Sequence, residues 1–179
     1  MILPLELFGR KWYTGIRLMR DIVLIAHNIR STHNVGAFFR TADGFGVSKI
    51  IFSGYTPYPT LEHDTRLPHF ADKLTRQIHK TALGAETMVP FERYDEPPIA
   101  ELKAAGYAIV GLEQDDRSVM LPEYEVPQKV ALLLGNEIDG IYPELRAQCD
   151  ALVEIPMRGG KESFNVSVAT GIALYHLSI

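Results

Sequence analysis

The chain contains a single cysteine, Cys149, which allows no internal disulfide and no cysteine-based metal centre. No apolar run approaches the ~18–20 residues that span a bilayer. The N-terminus lacks a charged stretch followed by a long apolar one, so it makes a poor signal peptide. These absences, with Cys149 read as a buried and inert thiol, fit a protein of the reducing cytoplasm with no membrane partner. Several nucleotide and nucleophile signatures are missing too. There is no G-x-x-x-x-G-K-[ST] phosphate loop and no G-x-S-x-G elbow. Gly44-Phe45-Gly46 opens like a dinucleotide fingerprint, but it lacks the third glycine and follows a helical pattern rather than a strand. His63, Asp64, His69 and Asp72 match no metal-ligand spacing and read as surface polar residues, so no metal is expected.

What remains is the composition of an ordinary globular protein, with 46% hydrophobic and 22% charged residues among 179. No repeat, low-complexity tract or linker divides it, so residues 1–179 are expected to form one domain. The net charge of −4 does not announce a polyanion partner. Local charge says more. Residues 1–20 carry Arg10, Lys11, Arg17 and Arg20 against Glu6, with Trp12 and Tyr13 among them. Such a basic, aromatic arm suits either a polyanion or a packed N-terminal segment. Residues 113–125 are acidic.

Apolar, β-branched runs predict strands at 22–26 (IVLIA), 49–53, 107–112, 130–134 and 151–155, with a short one at 87–90. Helical spacing predicts helices over 34–45, 71–83, 97–105, 143–149 and from Asn165 onward. Ser31, Thr32 and Asn34 can cap the first of these, and Gly44 and Gly46 can end it. In the last helix, Val166, Val168, Ile172, Leu174 and Leu177 read as core. The alternation of strand and helix predicts an α/β fold, a largely parallel sheet with helices on both faces. The loop 55–68, with Pro57, Pro59 and Pro68, is long enough to suggest a functional role. In open parallel sheets ligands sit at the carboxyl ends of strands. The last quarter, 131–179, has two such ends opening into polar, glycine-bearing loops.

Three stretches stand out in order: Asn34-Val35-Gly36-Ala37-Phe38-Phe39-Arg40-Thr41-Ala42; Leu134-Gly135-Asn136-Glu137; and Ile155-Pro156-Met157 followed by Ser163-Phe164-Asn165-Val166-Ser167. Together they resemble the three motifs of the SpoU branch of the SPOUT methyltransferases, which methylate the ribose 2′-hydroxyl of RNA with S-adenosylmethionine. The resemblance covers the chain from about Ile22 to the C-terminus. It implies a C-terminal deep trefoil knot within 131–179 and a homodimer whose subunits complete each other's site. The RNA partner is expected to be transfer RNA before ribosomal RNA. Recognition is assigned to the arm, the 55–68 loop, the dimer surface or a partner.

The resemblance also assigns residues. Arg40, Asn34, Glu137, Ser163 and Asn165 are the expected catalytic set. Leu112, Leu134, Gly135, Asn136, Ile155, Met157, Ser163, Phe164 and Asn165 are expected to hold the cofactor. Phe164 stands where the family usually has leucine, which keeps an apolar contact while reshaping the adenine pocket. Physically, Asn34 acts from a helix N-terminus and Arg40 from nearly two turns further in. The family scheme makes this arginine a general base. Arginine stays charged at any ordinary pH and matches phosphate with fixed donors, so a backbone-positioning role is open beside it. Glu137 can orient Arg40 or Asn34. Ser163 and Asn165 can cap the last helix or bind a ribose or carboxylate. Two other classes stay open: a non-catalytic RNA- or cofactor-binding module on the same fold, and an unrelated nucleotide-dependent enzyme.

Overall fold

A computed structural model describes residues 20–179. The arm expected over 1–20 therefore lies outside the described residues, apart from Arg20. The elements run β1 (Asp21–His27), α1 (Thr32–Phe45), β2 (Lys49–Ser53), α2 (Pro68–Ala82), β3 (Phe91–Tyr94), α3 (Ile99–Ala104), β4 (Ala108–Leu112), β5 (Val119–Met120), β6 (Lys129–Leu134), α4 (Pro143–Arg146), β7 (Ala151–Glu154) and α5 (Val166–Ser178).

The strands form one sheet in the order β3-β2-β1-β6-β4-β7-β5, and every pairing is parallel. Alternation along β1 explains the layering. Ile22, Leu24 and Ala26 join a core cluster with Phe38 and Phe39 of α1, Ile78 of α2 and Leu174 and Leu177 of α5. Val23 and Ile25 face the other way, toward Ile99 and Leu102 of α3 and Leu145 of α4. Both faces are thus covered, which is why the central strands read as unbroken apolar runs.

β1 and β6 lie side by side, Ala26 opposite Leu134, yet the chain leaves them in different directions. From β1 it goes out to β2 and β3, while β6 is approached from the β4 side. This is a topological switch point, where loops part and leave a crevice above the strand ends.

Local chemistry fixes the helix ends. Ser31 caps α1 by accepting the Asn34 N–H at 3.3 Å, and Gly46 closes it in the left-handed region at φ 67°. α2 begins at Pro68, earlier than the periodicity predicted, because proline at a first helical position loses no needed hydrogen bond. Three other expectations are corrected. The 87–90 strand is instead the end of a 3₁₀ turn (Ala85–Thr87), and β3 follows it. The helix expected over 143–149 stops at Arg146. In α5, Leu174 and Leu177 are buried and Val166 packs at the core margin, but Val168 and Ile172 are exposed. Helical periodicity cannot separate the core stripe from the outer face of a helix that is apolar all round.

α1 packs tightly on α2 at Gly36. A Cβ at Gly36 would lie 2.1 Å from Thr81 Oγ1 and 2.3 Å from the Ile78 carbonyl oxygen. Gly36→Ala is therefore expected to destabilise the fold by about 3 kcal/mol, the upper end for overpacking, because backbone cannot yield as a side chain does. A lowered urea midpoint with an unchanged slope would bear this out; a midpoint equal to wild type would refute it.

Candidate active site

The carboxyl ends of β4, β6 and β7 meet the start of α5 around a cavity of about 510 Å³, within the range of small-molecule sites. Leu112 lines it from β4. Leu134, Gly135 and Asn136 line it from β6, Ile155 and Met157 from beyond β7, and Ser163, Phe164 and Asn165 from the approach to α5. All nine residues expected around a cofactor are thus brought together, with Glu137 beside them.

The loop after β6 is shaped from within. Asn136 and Gly140 exchange backbone hydrogen bonds of 3.0 and 2.9 Å, pinching residues 136–140 into a tight turn. Gly135 lies so close beneath it that a Cβ would sit 2.2 Å from the Gly140 carbonyl carbon. The Asn136 side chain is used up in holding this shape. Its Oδ1 accepts the Ile138 and Asp139 N–H groups at 2.7 and 3.1 Å. Its Nδ2 donates to the Asn28 carbonyl at 3.1 Å and to the Tyr55 hydroxyl. Asn136 therefore lines the cavity as the loop's brace rather than as a free ligand group.

Glu137 is turned back onto α1. Its carboxylate accepts the Arg30 N–H at 3.0 Å, the Ser31 N–H at 3.3 Å and the Asn34 Nδ2 at 3.0 Å. An anion at a helix N-terminus is favoured by the otherwise unpaired amides and by the helix dipole. Burial pushes the Glu137 carboxyl up, but these donors outweigh it and hold it below the usual glutamate range. Asn34 passes the contact on. Its Oδ1 accepts from Asn165 Nδ2 at 3.3 Å, while Asn165 Oδ1 caps α5 by accepting the Ser167 N–H at 2.9 Å. Glu137, Asn34 and Asn165, from three distant stretches, form one hydrogen-bonded relay at the mouth of the cavity.

Two candidates stand outside that relay. Ser163 is exposed, lines the cavity, and has no hydrogen-bond partner among the described residues. Its hydroxyl is free for a ligand. Arg40 is exposed on α1, does not line the cavity, and makes no ion pair or hydrogen bond with any described residue. The expected orientation of Arg40 by Glu137 is not seen within one subunit, because Glu137 spends its acceptors on the helix end two turns away.

Sequence reasoning missed Glu113 and Gln114, which it left in an acidic loop. Glu113 accepts the Ile141 N–H at 2.6 Å, and Gln114 Nε2 donates to the Glu162 carbonyl at 2.7 Å, tying down the loop ahead of Ser163. Their position directly after a strand end was the available signal. Among the other polar candidates, Asp64 is taken up by Arg66, and no group of His, Cys, Asp and Glu that would hold a metal occurs among the described residues. Cys149 is half-buried; burial pushes its thiol up to about 11, in line with an inert side chain.

Behind the site, His27 is buried between Ser53 and Asn28. The Asn28 carboxamide accepts the Tyr55 N–H at 3.1 Å, so its Nδ2 donates to His27 Nε2 at 2.9 Å. That leaves Nδ1–H to donate to Ser53 Oγ at 2.9 Å and fixes a neutral imidazole. Burial lowers its proton affinity, against a weaker opposing pull from Glu96.

Comparison with known proteins points the same way. The sequence model of the SpoU rRNA Methylase family matches residues 21–175. The chain is 31% identical over 158 residues to a tRNA (guanosine(18)-2′-O)-methyltransferase of Aquifex aeolicus, covering 87% of this chain and 68% of that one. It is 34% identical to a 23S rRNA (guanosine-2′-O-)-methyltransferase of Coxiella burnetii, covering 87% of this chain and 57% of that protein. The chain thus spans little more than half the length of some of these relatives. Among solved structures it is similar to an AdoMet-bound rRNA methyltransferase from Sinorhizobium meliloti, at TM-score 0.71 and 29% identity over 88% of this chain and 55% of that one. It is also similar to the A. aeolicus TrmH/SpoU tRNA modifying enzyme, at TM-score 0.72 and 29% identity over 89% of this chain and 74% of that one.

Two acid-linked losses of stability are expected at this site. His27 has a lowered folded pKa, so its contribution is complete above 6.5 and is lost as pH falls below that value. Glu137 is also lowered, so its contribution is complete above 4.5 and is lost as pH falls through the folded value. At neutral pH, Glu137→Gln should cost about 1 kcal/mol, modest because the carboxylate is exposed to solvent. Urea unfolding at stepped pH checks both. A wild-type curve flat from pH 7 to 5 would refute the first, and a Glu137→Gln deficit unchanged at pH 3 the second.

Proposed function

The chain belongs to the SpoU rRNA methylase family, and from that membership we propose that it methylates a ribose 2′-hydroxyl of RNA with S-adenosylmethionine. The observation that carries this reading is the relay Glu137–Asn34–Asn165 at the mouth of the cavity above β4, β6 and β7.

The cavity's chemistry fits the cofactor. Apolar side chains (Leu112, Leu134, Ile155, Met157 and the exposed Phe164) suit an adenine face, and the unengaged Ser163 hydroxyl suits a polar end. The residues around the Gly135 turn would hold it, and bound there it supplies an electrophilic methyl group. Alignment by a rigid pocket is the main physical gain in such a transfer. The relay stiffens the mouth where an RNA ribose would enter. Arg40 contributes a fixed cation for the phosphate next to that ribose, which favours loss of the hydroxyl proton.

Arg40 does not line the cavity of its own subunit, and α5 offers an explanation. Val168, Ile172 and Tyr175 are spaced along one outer face of that helix and are exposed by 51%, 37% and 58%. α1 packs on α5 through Thr41 and Gly171, so Arg40 is carried beside this stripe. We read the stripe as the seat of a second copy, making a homodimer in which Arg40 works across the junction. The same reading takes 131–179 as the knotted segment. Transfer RNA and ribosomal RNA both enter as substrates, since the relatives' names divide between them.

Incubation with labelled S-adenosylmethionine and purified transfer or 23S ribosomal RNA should yield 2′-O-methyl nucleosides. Arg40→Ala should lower the rate about 10²–10⁴-fold while leaving cofactor affinity intact. Failure to methylate either RNA, or full activity in Arg40→Ala, would overturn the reading. Sedimentation should give a dimer for wild type and monomer for Ile172→Lys; a wild-type monomer would remove the junction.

A further inference from the structure

A second cavity, of about 500 Å³, lies on the opposite side of the β1 end. Its walls come from the loop after β2 and from α2, and Arg30, Tyr55, Tyr58, Arg66, Phe70 and Gln77 define its character. Arg66 is part of the built wall. Its guanidinium pairs with Asp64, donates to the Tyr58 and Pro59 carbonyls at 3.0 and 3.1 Å, and stacks 3.7 Å over the Tyr58 ring. Thr56, wholly buried, pins the loop by accepting the Ile29 N–H and donating to the Ala26 carbonyl. The pocket is therefore preformed.

What it presents to solvent is different. Tyr55 is 56% and Phe70 47% exposed. The Arg30 side chain is exposed and has no partner among the described residues. Two open aromatic faces beside one free cation are the elements that bind an unpaired nucleotide, base against ring and phosphate against guanidinium. α2 extends the match. Phe70, Leu74 and Gln77 face the cavity, while His69, Lys73, Arg76 and Lys80 run along its outer side, exposed and without ion pairs among the described residues. On a chain of net charge −4, this is a local track for a polyanion.

The cavity is also wired to the active site. Tyr55 receives a hydrogen bond from Asn136, and Arg30 donates its backbone N–H to Glu137. Each of these bonds joins a wall of one pocket to a wall of the other. We infer that this cavity binds the base of an unpaired RNA nucleotide flanking the target ribose, stacked on Phe70 and Tyr55, with Arg30 on its phosphate and the strand continuing along α2. The inference rests on the RNA methyltransferase reading and adds to it a subsite that selects single-stranded over duplex RNA.

The test uses the full chain, a fluorescent oligoadenylate, and a strand of the same length with stable abasic sugars in place of the bases. Oligoadenylate should bind wild type more tightly than the abasic strand. Phe70→Ala should weaken oligoadenylate binding about 5- to 150-fold, the worth of one or more lost stacking contacts, and leave the abasic strand unchanged. Arg30→Gln should weaken both strands and reduce the salt dependence. Unaltered circular dichroism and S-adenosylmethionine affinity show that each variant is folded. Equal wild-type affinity for the two strands, or wild-type oligoadenylate affinity in Phe70→Ala, overturns the subsite. Loss of the Phe70 effect with methyl transfer intact sinks the subsite alone. Absent methyl transfer with the Phe70 effect present sinks the enzymatic reading and keeps the subsite.

Discussion

The Glu137 carboxylate lies against the first turn of α1 and takes hydrogen bonds from two backbone amides and the Asn34 carboxamide. That contact closes a gap of 103 residues in sequence. It does for the loops what the β1–β6 pairing does for the strands. Without it, the turn after β6 would lose its tie to α1, keeping only the Asn136 and Ile141 bonds to Asn28, Tyr55 and Glu113, and the start of α1 would carry unpaired donors beside a crevice. Because Asn34 reaches on to Asn165, the same contact fixes where α5 begins. One ionised group thus sets three of the cavity's edges.

The sheet makes this meeting possible. Parallel strands all end on one side, so β1, β4, β6 and β7 deliver their loops to a common rim. Each loop is then held by a side chain from another: Asn136 by Asn28 and Tyr55, Glu113 by the Ile141 amide, Gln114 by the Glu162 carbonyl. The rim is a net of such cross-links rather than a set of independent turns. A shape built this way is already formed before a ligand arrives, and pre-formed sites lose less free energy to ordering on binding.

Much of this was legible in the residues. Runs such as IVLIA have no polar face, which only a doubly covered strand explains, and the parallel α/β sheet follows from their spacing. The nine expected cofactor contacts lie on one cavity because they sit at or just beyond strand ends and at the start of the last helix, positions that pattern marks well. What pattern misses is the partner of each polar group. Asn136 reads as a ligand residue, yet its four hydrogen-bonding sites are spent on the chain itself. Glu137 was expected to hold Arg40 or Asn34, and only Asn34 is within its reach. β5 is two residues long, too short for any periodicity, and it forms because β7 has a free edge beside it. Val168 and Ile172 are the same kind of residue as Leu174, and only the direction of the helix separates them.

That last distinction bears on the proposed dimer. α5 buries Ala173, Leu174 and Leu177 against the sheet and leaves Val168, Ile172 and Tyr175 in solvent. An apolar outer stripe destabilises an isolated subunit by inviting association, so its presence asks for something to cover it. Arg40 asks the complementary question. It has no partner among the described residues and lies too far along α1 to join the relay. The dimer proposed above would answer both, since a second copy on the stripe would also give the cation a cavity to face. The relay and the arginine are separate within one chain, which is what the proposed two-chain site would require.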